Sequence, residues 1–168
     1  EVDTFMFEGH DTTTSRISFT IWHLAKYQDV QQRLYEEIDR ILGEDKKHAE
    51  LTNLKVQESE YLDMVVKESL RLIPPVPIIG RCLLEDMEMS EFPNNIPHQN
   101  IHLSLPSDGV TIPAGTNISI KICNIHTNPK IRPNPEKFDP ERFSKTNEDK
   151  RGPYDYIPFW AGPRNCIG

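Results

Sequence analysis

Apolar side chains crowd the first stretch of the chain. Phe5, Phe7, Ile17, Phe19, Ile21, Trp22 and Leu24 leave few faces polar, which predicts one long helix from Glu1 to about Tyr27, of the kind found inside a core. A polar patch, Glu8-Gly9-His10-Asp11-Thr12-Thr13-Thr14-Ser15, interrupts it. Val30, Leu34, Ile38, Ile41 and Leu42 then recur near every 3.6 residues, so a second helix follows, with Gly43 as its stop. Residues 44–50 are a charged, solvated connection. Tyr61 to Leu72 forms a third helix with Leu62, Val65, Val66 and Leu70 inward, ended by Pro74-Pro75. Beyond it, β-branched enrichment predicts strands at Val76–Ile79, Val110–Ile112 and Asn117–Ile125, with a turn at Pro113-Ala114-Gly115. Residues 128–143 are punctuated by proline and read as an ordered, meandering loop.

Composition narrows the classes. The 168 residues are enough for about one domain. The net charge of −7, without a basic stripe, argues against nucleic acid as a partner. Three cysteines, Cys82, Cys123 and Cys166, do not read as a disulfide framework, and a reducing compartment is expected. No apolar run is long enough to span a bilayer. The chain begins inside a helical pattern and stops two residues past Cys166, so it reads as an internal fragment bounded by two motifs.

Three motifs carry chemistry. In Glu8 to Thr13, a glycine and β-branched threonines inside an apolar helix suggest a local widening of the hydrogen-bond ladder. Asp11 and Thr12 would then offer a carboxylate and a hydroxyl suited to relaying protons, although a solvated face or a helix–helix polar contact is the simpler reading of these residues alone. Glu68-Ser69-Leu70-Arg71 places Glu68 and Arg71 three apart on one helix face, where most such pairs are weak surface bridges. The chain ends on Phe159-Trp160-Ala161-Gly162-Pro163-Arg164-Asn165-Cys166-Ile167-Gly168. Small residues in this loop let the backbone approach a flat cofactor, and a thiolate aimed from it can be the axial ligand of haem iron.

The order Gly9-His10-Asp11-Thr12-Thr13, Glu68-x-x-Arg71, Pro140-Glu141-Arg142-Phe143 and Phe159-x-x-Gly162-x-Arg164-x-Cys166-x-Gly168 resembles the haem-thiolate half of a cytochrome P450. The extended form Phe7-Glu8-Gly9-His10-Asp11-Thr12-Thr13 is similar to family four, the fatty-acid omega-hydroxylase type. The resemblance implies a mainly α fold with small β-sheets, of which residues 1–168 are the central-to-C-terminal part. Residues 1–27 would be the distal haem helix, 60–73 the Glu-x-x-Arg helix and 159–168 the haem-cysteine loop. It implies haem b held by Cys166 on iron, with Arg164 and Arg81 on its propionates, Phe159 and Gly162 shaping the loop, and Glu8 able to form an ester to a haem methyl. Thr12 and Asp11 would activate dioxygen. Glu68, Arg71 and Arg142 would form a buried charge network without a catalytic role. Phe5, Phe7, Val76 and Ile79 would line a pocket for a lipophilic substrate such as a fatty acid.

The resemblance further implies electrons from NADPH through NADPH-cytochrome P450 reductase, with cytochrome b5 as an optional partner. It also implies attachment through an N-terminal anchor to the cytosolic face of the endoplasmic reticulum membrane, or alternatively a mitochondrial form. The isolated fragment is expected to be inactive. Two competing readings stay open: a haem-thiolate isomerase or lyase that needs no external electrons, and a degenerate haem-binding product. Asp11-Thr12 argues against the first. Arg16 and Trp160, which replace a small residue and a small polar residue of the family pattern, sustain the second, as does the segment 91–107, which looks inserted into a hairpin normally short. That segment reads as a surface loop, as retained intron sequence or as an artefact of conceptual translation. Cys82 and Cys123 read as small core residues, and Asn117-Ile118-Ser119 is a glycosylation sequon with no expected use in the cytosol. The spacing of His98 and His102 lacks a helix and a third ligand, so no metal site is expected there.

Overall fold

The computed structural model describes residues 2–43, 50, 52–89, 110–148 and 151–167, without the side chains of Thr4, Phe7, Met89 and Glu148. Helix α1 (Val2–Lys26) leads directly into α2 (Gln28–Leu42). A short α3 (Asn53–Gln57) precedes α4 (Glu60–Leu72). Strands β1 (Ile78–Cys82), β2 (Met87–Met89), β3 (Val110–Ile112) and β4 (Asn117–Lys121) follow, then α5 (Ile122–His126). A 3-10 turn at Pro140–Phe143 and α6 (Lys145–Glu148) precede the terminal loop. Among the described residues the fold is mainly α with two small sheets, as expected.

The core forms where α2 and α4 meet one residue of the meandering loop. Val30 and Leu34 from α2, Tyr61 and Val65 from α4, and Phe138 make one buried cluster, with Leu24, Tyr27, Ile38, Leu62, Met64 and Leu72 packed around it. Burying side chains of this size contributes roughly 1.5–3 kcal/mol each. The start of α4 is fixed by its neighbour. Ser59 makes no side-chain cap, and Glu37 of α2 instead accepts from the Tyr61 and Leu62 N–H groups at 2.8 and 3.0 Å. A carboxylate on two N-terminal amide groups satisfies orphan donors and complements the helix dipole.

The sheets are nested antiparallel pairs. β1 pairs β4, with Ile78 opposite Lys121 and Cys82 opposite Asn117. Inside that pair, β2 pairs β3, with Met87 opposite Ile112 and Met89 opposite Val110. The hairpin expected around the insertion is therefore present. Residues 91–107 themselves, with His98 and His102, lie outside the described residues.

Several expectations are corrected. Helix α1 is α-helical throughout, without the widening expected at Glu8–Thr13. Thr12 Oγ1 donates to the Glu8 carbonyl at 2.6 Å, so the hydroxyl back-bonds within an intact ladder. The apolar residues Phe5, Ile17, Phe19, Ile21 and Trp22 are exposed, and the buried positions are Thr20 and His23. The cause is one-sided packing, since α1 rests on α2 and α4 alone among the elements with substantial contact. The first strand begins at Ile78, two residues later than expected. The last ends at Lys121, and Ile122–His126 turns helical so that Ile122 and His126 become fully buried. Tertiary burial outweighs β propensity there. Cys82 is exposed and Cys123 half-buried, so neither is a core residue. The strand alternation of β1 sends Ile79 inward and Cys82 outward.

Candidate functional site

Two neighbouring constructions hold most of the residues singled out by the motifs. The first is a buried ion pair. Glu68 and Arg71, one turn apart on α4, are both fully buried. Arg71 Nε donates to Glu68 Oε2 at 2.7 Å and Nη2 to Oε1 at 2.8 Å, a bidentate pair. Arg71 also reaches the carbonyls of His126 at 3.0 Å and Lys137 at 3.2 Å. Glu68 Oε1 accepts the Asp139 N–H at 2.8 Å, with Arg142 Nε 3.6 Å away. Arg142 Nη2 donates to Asn134 O at 2.8 Å, across the bend where Asn134 is left-handed at φ 51°. The structure thus brings Glu68, Arg71 and Arg142 together, and their hydrogen bonds tie α4 to α5 and to the meandering loop. Burial pushes the Glu68 carboxyl up, with the Arg71 bonds opposing it.

The second construction anchors the terminal loop, using residues the sequence did not single out. His126 is fully buried, and its Nε2 accepts the Ile157 N–H at 3.0 Å. That bond places the ring proton on Nδ1, and burial holds its pKa down at about 4. Arg132 Nη2 donates to Asp155 O at 2.8 Å. Burial, then the charge of Arg71, lower the Arg132 pKa to about 10. Tyr156 donates to Lys67 O at 3.1 Å and packs edge-on against Phe143 at 4.7 Å. Three successive residues, 155 to 157, are therefore pinned immediately ahead of Phe159. Beside the ion pair, His23 Nδ1 meets Ser69 Oγ of α4 at 3.0 Å, and its ring stacks on Phe138 at 4.5 Å. No local pattern distinguishes His23, His126 or Arg132 from surface residues, because their burial comes from elements distant in sequence.

The loop itself is closed by its own backbone. Trp160 N–H donates to Ile157 O at 3.1 Å, Asn165 N–H to Gly162 O at 3.1 Å and Cys166 N–H to Phe159 O at 3.0 Å. Gly162 has φ 87°, a left-handed turn that favours glycine. Cys166 is a free, half-buried thiol, and Phe159 and Ile167 beside it are exposed. Arg81 reaches over from β1, donating from Nη2 to Arg164 O at 3.2 Å. Arg81, Arg164 and Cys166 thus lie on one construction.

The remaining motif residues are elsewhere. Asp11, Glu8 and Arg16 are exposed on α1, Thr12 is half-buried, and among the described residues no hydrogen bond joins them to the loop. His10 Nδ1 and Asp11 Oδ1 lie 2.9 Å apart. Of the residues expected to line a pocket, Phe5 is exposed, Val76 half-buried and Ile79 buried, while the Phe7 side chain lies outside the described residues. Among the described residues no cluster of three or more His, Cys, Asp or Glu side chains is placed to hold a metal ion.

The sequence model of the family Cytochrome P450 matches residues 1–168. Cytochrome P450 4d2 of Drosophila melanogaster is 46% identical over 168 residues, covering 100% of this chain and 30% of that protein. Cytochrome P450 4d8 of the same species is 45% identical, covering 100% and 33%. Cytochrome P450 4F11 of Homo sapiens is 42% identical, covering 100% and 29%. The chain spans about a third of the length of these relatives. With the four motifs in order and the match complete from end to end, the chain belongs to the cytochrome P450 family, of the family-four type.

Proposed function

We propose that the whole protein is a haem-thiolate monooxygenase that inserts one oxygen atom of dioxygen into a lipophilic substrate such as a fatty acid. The observation that carries this reading is the loop around Cys166. One half-buried free thiol stands between exposed Phe159 and Ile167, with the arginines Arg81 and Arg164 at its margin. A single thiolate ligand, an apolar ledge and cations for acidic side groups fit an iron porphyrin, whose macrocycle brings its own four nitrogen donors. When bound, haem supplies the redox centre at which dioxygen is activated.

The chain's own residues then have distinct tasks. Cys166 would ligate iron, and the hydrogen bond from its own N–H to Phe159 O fixes its backbone within the loop. Arg164 and Arg81 would hold the propionates through charge-assisted bonds. Thr12 Oγ1 donates to Glu8 O and would have to release that bond to pass its proton on while accepting a hydrogen bond from the next donor in a relay, with His10 2.9 Å from the Asp11 carboxyl beside it. Glu8 offers an exposed carboxyl on the same helix for an ester to haem. Electrons would come from NADPH through NADPH-cytochrome P450 reductase, with cytochrome b5 as a second donor. Localisation at the cytosolic face of the endoplasmic reticulum membrane, through an N-terminal anchor, belongs to the same reading. Among the described residues no helix is long and apolar enough to cross a membrane.

The absorption spectrum of the reduced, carbon-monoxide-bound full-length protein tests the centre of this proposal, with Cys166→His alongside. A strongly red-shifted Soret band that disappears in the variant is the expected result. A band in the ordinary histidine-haem position, or no haem, overturns it. Turnover of medium- and long-chain fatty acids with NADPH and reductase then tests the substrate, and absence of hydroxylated product would sink that finer part alone.

A further inference from the structure

Trp160 has a backbone that does not suit its side chain. Its φ of 68° lies in the left-handed region, where a bulky residue is an outlier. Gly162 nearby adopts φ 87° freely because it has no Cβ. A tryptophan stays in such a conformation only where its contacts over-determine it. Two contacts do so here. Its N–H closes a turn on Ile157 O at 3.1 Å. Its indole meets the Arg81 guanidinium, with Cζ 5.5 Å from the ring centroid, within the range of a cation–π contact.

Arg81 is thereby gripped at two points of one loop. The guanidinium lies over the Trp160 ring, and Nη2 donates to Arg164 O at 3.2 Å, while Nη1 donates to Gly80 O at 2.8 Å. The Cys166 N–H bond to Phe159 O ties the residue before Trp160 to the backbone that carries the thiol. A guanidinium rooted in β1 and clasped in this way joins the sheet to both arms of the loop. Without the ring, Arg81 would keep the carbonyls of Gly80 and Arg164 as its partners among the described residues, on a long side chain that loses rotamer freedom to reach them.

We propose that Trp160 is a positioning residue whose indole fixes Arg81 across the Cys166 loop and so sets how firmly the loop presents Cys166 and Arg81 to haem. The part concerning haem rests on the haem-thiolate reading above. The clasp itself is a property of the polypeptide.

The full-length protein carrying Trp160→Gly, Trp160→Phe and each combined with Arg81→Gln decides the matter. Glycine accepts the left-handed backbone but removes the ring, whereas phenylalanine keeps a ring. Haem transfer to excess apo-globin is expected to run several-fold faster from Trp160→Gly than from the unsubstituted protein. The reduced carbon-monoxide spectrum of that variant should show a larger share of the shorter-wavelength band. Trp160→Phe should restore most of both, and Arg81→Gln should add less on the glycine background than alone. An unchanged Trp160→Gly, a failed rescue by phenylalanine, or independent multiplying effects of the two sites each overturn the proposal. Peptide-resolved alkylation of the haem-free protein separates the two layers. Labelling of Cys166 relative to Cys123 should rise in Trp160→Gly and not in Trp160→Phe. If the unsubstituted protein binds no haem, the haem-thiolate reading fails, and an unchanged alkylation ratio would still sink the clasp.

Discussion

Replacing Glu68 by glutamine probes the ion pair with almost no change of shape. The carboxylate accepts two bonds from Arg71 and one from Asp139 N–H, all within 2.8 Å, and sits at 0% exposure beside Arg71 at 0%. Glutamine keeps one acceptor oxygen, turns the other into a donor facing Arg71, and leaves that guanidinium buried without its counter-charge. Removing one partner of a buried pair costs about 3–5 kcal/mol. Ordinary domains have about 5–15 kcal/mol in total, so the loss is severe. Urea unfolding of the full-length protein, followed by far-UV circular dichroism, should show the midpoint fall by about 2 M for a slope near 2 kcal/mol/M. Glu68→Met with Arg71→Met adds a sharper test. A well-packed apolar pair often replaces a buried ion pair without loss. Here it would orphan Asp139 N–H, His126 O and Lys137 O, at about 1–3 kcal/mol each, so the double variant should not recover stability. A Glu68→Gln midpoint within about 0.5 M of the parent, or a double variant as stable as the parent, would refute the reasoning.

Two further outcomes follow from particular groups. His126 has a folded pKa of about 4 against 6.5 when unfolded, so below pH 6.5 the unfolded chain binds a proton that the folded chain refuses. Its contribution is full above pH 6.5 and is lost as pH falls towards 4, about 3 kcal/mol in all. Denaturant titrations from pH 7 to pH 4 should show that slope, absent in His126→Gln. Gly43→Ala should cost about 1–3 kcal/mol of stability, because φ 77° and ψ −164° exclude a Cβ even though open space surrounds it. A thermal melt unchanged by that substitution would show that the end of α2 relaxes at no cost.

The parts legible in sequence are those that local pattern controls. The 3.6 period marked α2 and α4, and Gly43 marked the end of α2 to the residue. The motifs named Glu68, Arg71 and Arg142, whose side chains the fold brings together. What escaped depends on distant neighbours. Ile122–Ile125 looks like a strand in isolation and becomes helical where Ile122 and His126 find a buried place. Helix α3 escaped because it is a single short turn after Thr52, whose side chain accepts from Lys55 N–H at 3.4 Å. His126, Arg132 and Tyr156 pin the approach to the cysteine loop, yet each does so through one main-chain group that no composition or spacing reveals.

The nesting of the two hairpins has a consequence for how this chain tolerates change. The strands on either side of residues 90–109 form two successive ladders, β2 against β3 and, outside it, β1 against β4. Lengthening a connection between strands already held in register costs only about 0.6 kcal/mol for each doubling. Arg81 sits on the outer pair, opposite Ile118, with the inner ladder between it and any added length. The same place would serve an engineer as a port for an affinity tag or a small reporter domain, reached through the inner hairpin and insulated from the thiol by two ladders of hydrogen bonds.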